Sequence, residues 1–123
     1  MKHFRYFLMI LLLSPALSRA SQCVSFKMIK GTHELCWQDE HKAWISPSCL
    51  TKPCEALIAL SKKHSLPKTA SKDGGSNPNT RLCHQLKLKI LIMRDRHQNE
   101  QSFCQFADKS IVDVNALTRV VAP

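Results

Sequence analysis

His33, Cys36 and His41, with Cys49 and Cys54, carry the side chains of this chain most suited to a zinc ion, and Cys83-His84 could join them. Zinc sites usually draw cysteines in close C-x2-C pairs, and no such pair occurs. The other chemistry open to these residues is a cysteine nucleophile beside a histidine base, which needs a free thiolate. The six cysteines, Cys23, Cys36, Cys49, Cys54, Cys83 and Cys104, are even in number and all follow an apolar leader. In a short exported chain that pattern reads as a disulfide framework with no thiol left over. No G-x-S-x-G or H-E-x-x-H occurs, and Gly74-Gly75 sits in a polar stretch without the preceding strand that a phosphate loop requires. We therefore expect no catalytic residue, no metal and no cofactor.

The compartment rests on the first twenty residues. Lys2, His3 and Arg5 precede the apolar run Leu8 to Leu13, Ser14-Pro15 stops it, and Ser18-Arg19-Ala20 offers small residues for a cut before Ser21. This is the pattern of a secretory signal peptide, too short to span a bilayer, and no second hydrophobic span follows it. Removal of residues 1–20 leaves a chain of one domain or two very small lobes, with a core too small to rely on apolar burial alone. The net charge of +9 includes Lys2, Arg5 and Arg19 of the leader, and the remainder stays basic. Such a charge favours acidic cell-surface or envelope components without selecting among them.

Elements to position these residues are legible in the apolar rhythm. The N-terminal cysteine-rich lobe, 21–65, opens on the alternating Val24 to Met28 and continues as a hairpin, Glu34 to Trp37 and Ala43 to Ile45 around a polar turn. A helix capped by Thr51 then presents Cys54, Leu57 and Ile58 on one face. The stretch 66–76, rich in Ser, Lys and Gly, reads as a flexible connector to the second part, 77–123. There Asn77-Pro78 starts a short helix through Gln85. Leu86, Leu88, Ile90 and Ile92 give a strand with that face inward, a second strand falls near Ser102 to Phe106, and Ile111 to Val114 completes a meander before a helical turn capped by Asn115. The expected fold class is α+β, a small disulfide-stapled antiparallel sheet, hairpin plus meander, with two short helices. A likeness of Cys36 to Ile45 and Cys104 to Val112, each a cysteine, an acidic turn and an apolar strand, covers too few positions to count as a repeat.

Asn77-Pro78, Cys83, Cys104-Gln105-Phe106-Ala107-Asp108-Lys109-Ser110, Asp113 and Ala116-Leu117 together resemble a small exported bacterial domain of unknown function that carries the label hemolysin. The likeness covers Asn77 to Leu117. Three positions depart from it: Leu86-Lys87-Leu88 stands where that domain has a glycine pair, Lys109 replaces the glycine of its Asp-Gly turn, and Asn115 replaces a tryptophan. Lysine tolerates positive φ less well than glycine. The resemblance implies a Cys83–Cys104 bridge. The other four cysteines allow three connectivities, with a lean towards Cys23 with Cys36.

Two groups of cations suggest a binding surface: Lys62 and Lys63 beside the connector, and Lys87, Lys89, Arg94 and Arg96 on one strand and its loop. The plainer reading, a solvated strand face, is preferred. Aromatics are sparse around these cations, so no nucleic acid is expected as partner. Trp37 and Trp44, if exposed, could form a ligand or membrane contact, but the preferred reading is a packed pair across the hairpin or a cover for a disulfide. The function expected is a non-catalytic binding module. The rival is a membrane-active protein like the label hemolysin, for which Glu55 to Lys63 is the nearest amphipathic segment. Mass spectrometry of the protein recovered outside the cytoplasm should find a chain beginning at Ser21, and an intact Met1–Ala20 leader there would contradict the signal-peptide reading.

Overall fold

In the computed structural model the described residues are 22–63 and 78–121. The leader, the connector 66–76 and the Asn77 cap lie outside them. Six strands occur: β1 Cys23–Met28, β2 Gly31–Gln38, β3 Ala43–Ile45, β4 Lys89–Arg94, β5 Glu100–Gln105 and β6 Ile111–Asp113. Three short helices, α1 Glu55–Leu60, α2 Pro78–Gln85 and α3 Val114–Arg119, join a 3-10 turn at Pro47–Leu50. The strands close into one antiparallel barrel in the order β1-β2-β3-β6-β5-β4. This overturns the expected α+β sheet, because each meander completes the other's sheet: β3 pairs β6 at Ile45 and Val112, and β1 pairs β4 at Lys27 and Arg94. Closure removes most of the edge that an open sheet would expose, although β1 and β4 pair only at Lys27 and Arg94.

The two meanders are equivalent in register. Cys36 lies opposite Ile45 and Cys104 opposite Val112, while Lys27 faces Thr32 and Arg94 faces Glu100. Both closing pairs thus join matching positions, as an approximate two-fold axis through the seams requires. The short likeness around Cys36 and Cys104 marks equivalent places in the structure.

Two cores follow from this closure. Phe26, Leu35, Leu91, Met93, Phe103 and Ile111 fill the barrel, whereas Ile45, Cys104 and Val112 on the outer face pack with Ala56, Leu82 and Leu117 of the helices. Strand β4 therefore has an inward face of Leu91 and Met93, opposite to the expected one: Ile90 meets the helix layer and Ile92 is 47% exposed. On α1 the buried residues are Ala56, Ala59 and Leu60, and Ile58 is exposed. Its N-cap is Cys54, with Sγ accepting from Leu57 N–H, and not Thr51. The chain before it turns as a 3-10 segment, with Thr51 at that segment's end.

Long-range caps hold the layers together. Asp108 Oδ2 accepts from Glu55 N–H at 2.9 Å and Ser110 Oγ from Ala56 N–H at 3.0 Å, so the turn between β5 and β6 caps α1. Asp113, and not Asn115, caps α3: its Oδ2 accepts from Ala116 N–H and its Oδ1 from Trp44 N–H at 2.8 Å. Lys87 and Lys109, where the resembled domain has glycine, sit at φ +57° and +73°. The left-handed turns are kept at a cost of about 1 kcal/mol each.

Titration of the two caps should run in opposite directions. Desolvation works against ionisation of Asp108, but hydrogen bonds from Glu55 N–H and from Ser110 hold its pKa below 3.8. Burial pushes the pKa of Asp113 above 3.8 despite the Trp44 and Ala116 bonds. The Asp108 contribution is present above its ordinary pKa and lost as pH falls through the depressed value; that of Asp113 is full below its ordinary pKa and lost as pH rises through the elevated one. Denaturant titrations across acid pH should show wild type losing its advantage over Asp108→Asn on acidification and gaining against Asp113→Asn. Lys109→Gly should stabilise by about 0.5 kcal/mol, through relief of the positive φ less the glycine entropy cost.

Candidate functional site

The disulfides set the frame of the site. Cys23 bonds Cys36, Cys49 bonds Cys54 and Cys83 bonds Cys104, the last joining α2 to β5. No cysteine among the described residues is free, so the framework fits an oxidising compartment. Cys23, Glu34 and Cys36 gather within 4.8 Å of one another, but the two sulfurs are bonded to each other. His33 and Cys36 lie on opposite faces of β2, three residues apart, and His41 Nδ1 lies 2.7 Å from Gln38 Oε1. The residues first considered for zinc are therefore not assembled.

The first disulfide also fixes which way β1 directs its backbone. Cys23 and Cys36 are directly opposite with Cα atoms 3.9 Å apart, the spacing of a non-hydrogen-bonded antiparallel pair. By alternation, Ser25 and Lys27 also turn their N–H and C=O groups away from β2. On that side β4 meets β1 at Lys27 and then ends at Arg94. Beyond that point the β4–β5 loop departs and leaves a groove of about 580 Å³.

Val24, Phe26 and Trp44 contribute the apolar part of the groove, and Ser25 and Lys27 one wall. Phe26 meets the Trp44 ring edge-on at 5.5 Å, and Trp44 meets Trp37 at 5.3 Å, so the half-buried Trp44 is held from both sides. The loop wall brings Asp95, Arg96, His97 and Gln98. Asp95 Oδ1 accepts from His97 N–H at 2.8 Å and Asn99 N–H at 3.0 Å, and Gln98 takes φ +67° to close the turn. Desolvation opposes ionisation, yet the Asn99 and His97 bonds hold the Asp95 carboxyl below its ordinary range. That carboxylate is committed to its own loop. Arg96 Nε donates to His97 Nε2 at 3.2 Å, which sets its guanidinium beside the imidazole. Lys27 and Arg96 are thus the formal cations of the groove.

The remaining basic residues lie elsewhere. Lys87 occupies the turn after α2 and Lys89 begins β4, about 17 Å along the strand from Arg94. Arg94 pairs with Glu100, Nη2 to Oε1, at 2.8 Å. Lys62 and Lys63 follow α1 and line a separate cavity with Arg119, whose Nη2 donates to the His41 and Lys42 carbonyls. Of the cations singled out in the sequence, only Arg96 reaches the groove. Ser25, Lys27 and His97 went unnoticed as site residues, and Trp44 was read as core in preference to a ligand contact, because nothing local joins β1 to the loop after β4; the dense polarity of Arg94 to Glu100 is the one signal that could have drawn attention there.

No family model, no curated protein and no solved structure matches this chain. Replacing Cys23 and Cys36 by serine should lower stability by about 3 kcal/mol and loosen the start of β1, which keeps the bond from Trp37 N–H to the Gln22 carbonyl and the Val24–Leu35 pairing with β2. Guanidinium unfolding checks the first effect and hydrogen exchange of residues 23–26 the second.

Proposed function

We propose that this protein is an exported, non-catalytic binding module that holds an acidic component of the cell surface or envelope in the groove between β1 and the β4–β5 loop. One observation carries the reading: Lys27 and Arg96 flank an apolar floor, while the carboxylate that lines the groove, Asp95, is spent on the His97 and Asn99 amides. An acidic group entering there meets positive charge without having to displace an internal partner. Three disulfides, the leader pattern and the resemblance of Asn77 to Leu117 to an exported domain support the placement outside the cytoplasm.

A second reading, membrane contact, has one observation in its favour: Ile29 is fully exposed at the tip of the β1–β2 turn, next to Lys30 and close to Lys27. A greasy tip between cations suits an anionic bilayer surface. No helix among the described residues is long and apolar enough to cross a membrane.

Calorimetry with polyglutamate as probe separates the readings. The oxidised protein should bind it with an affinity that falls with added salt, and Lys27→Glu with Arg96→Glu should weaken binding by about tenfold or more, while Ile29→Ser leaves it unchanged. Leakage of anionic vesicles abolished by Ile29→Ser, with no polyglutamate binding, would replace the first reading by the second.

A further inference from the structure

The wall of the groove is a strand edge, and this decides what kind of acidic molecule fits. Ser25 directs both its N–H and its C=O away from β2, and the β1–β4 pairing stops at Lys27, so Ser25 has no strand beside it on the groove side among the described residues. An unpaired donor and acceptor on one residue match the narrow pair that an antiparallel partner strand supplies. Resting on the groove reading above, we propose that the occupant is an extended acidic peptide segment of another protein, which adds to β1 at Ser25 as a seventh strand.

The alternation of β1 sets the sequence pattern of that guest. A guest residue opposite Ser25 shares the outward face with Ser25 and Lys27, so an acidic side chain there has Lys27 as its diagonal neighbour, with Arg96 across the groove. Its two neighbours fall opposite Val24 and Phe26 and turn towards the apolar floor with Trp44. The recognised motif is apolar, acidic, apolar. Charge disfavours the alternative occupants: the chain's own connector carries Lys68 and Lys72 against the single Asp73, and a second copy would set Lys27 of one β1 near Lys27 of the other on a chain that stays basic without its leader.

The test uses the oxidised protein and a free peptide of alternating valine and glutamate, compared with the same peptide N-methylated at its central glutamate and with one of equal composition whose glutamates are grouped. Strand addition requires the guest N–H that methylation removes, so the methylated and grouped peptides should bind at least about tenfold more weakly. Ser25→Pro, which deletes the groove-side N–H without touching the β2 ladder, should reduce binding of the alternating peptide similarly; circular dichroism and the unfolding midpoint show whether that variant is folded, and the methylated peptide on wild type tests the same bond if it is not. Equal binding of all three peptides to wild type would overturn strand addition while leaving an anion-binding groove in place. Absence of binding by every peptide and by polyglutamate would overturn both, as would adsorption to anionic vesicles alone.

Discussion

Two three-stranded meanders, neither able to enclose a core alone, must be held against each other, and a side-chain stitch joins them at the β3–β6 seam. The strands pair there at Ile45 and Val112. Around this pair, Asp113 binds the Trp44 amide, Ser46 N–H donates to the Ile111 carbonyl at 3.1 Å, and Ile111 N–H donates to Ser46 Oγ at 2.7 Å. Asp113 and Ser46 are both buried, and buried polar groups persist only when bonded in this way. The same short segment caps α1 through Asp108 and Ser110 and α3 through Asp113. Barrel closure and the helix layer therefore share one set of side chains.

Among the described residues, the opposite seam has no comparable stitch. Beyond Lys27 and Arg94 the β4–β5 loop folds on its own aspartate, and β1 is left with Ser25 facing an open groove. The approximate two-fold symmetry sharpens the contrast, since four residues separate the paired Lys27 and Thr32 whereas five separate the equivalent Arg94 and Glu100. The longer loop carries Arg96 and His97 to the groove. Asymmetry between two like halves thus creates the site.

What was legible in the sequence was local. The even cysteine count indicated oxidation in pairs, and the rhythm around Trp37 and Trp44 located β2 and β3. The phase of β4 was not legible, because apolar residues stand on both faces, Ile90 and Ile92 on one and Leu91 and Met93 on the other, so residue type alternates less clearly than burial does. Nor could local periodicity show closure: the Trp44–Asp113 bond spans 69 residues. Cap assignment failed for the same reason, with Asp108 and Ser110 reaching α1 across 53 and 54 positions. The groove depends on closure, so Lys27 and Arg96 could not be joined from spacing, and Lys87 at positive φ concealed the turn between α2 and β4 that glycine would have announced.

Residue-resolved amide hydrogen exchange of the oxidised, ligand-free protein tests the stitched and open seams most directly. Trp44, Ser46 and Ile111 should exchange slowly together with Val24 and Phe26, whereas Ser25 between them should exchange orders of magnitude faster, as an amide facing water does. Slow exchange at Ser25 equal to that of its neighbours would mean that β1 is already paired on that side, and would contradict the account.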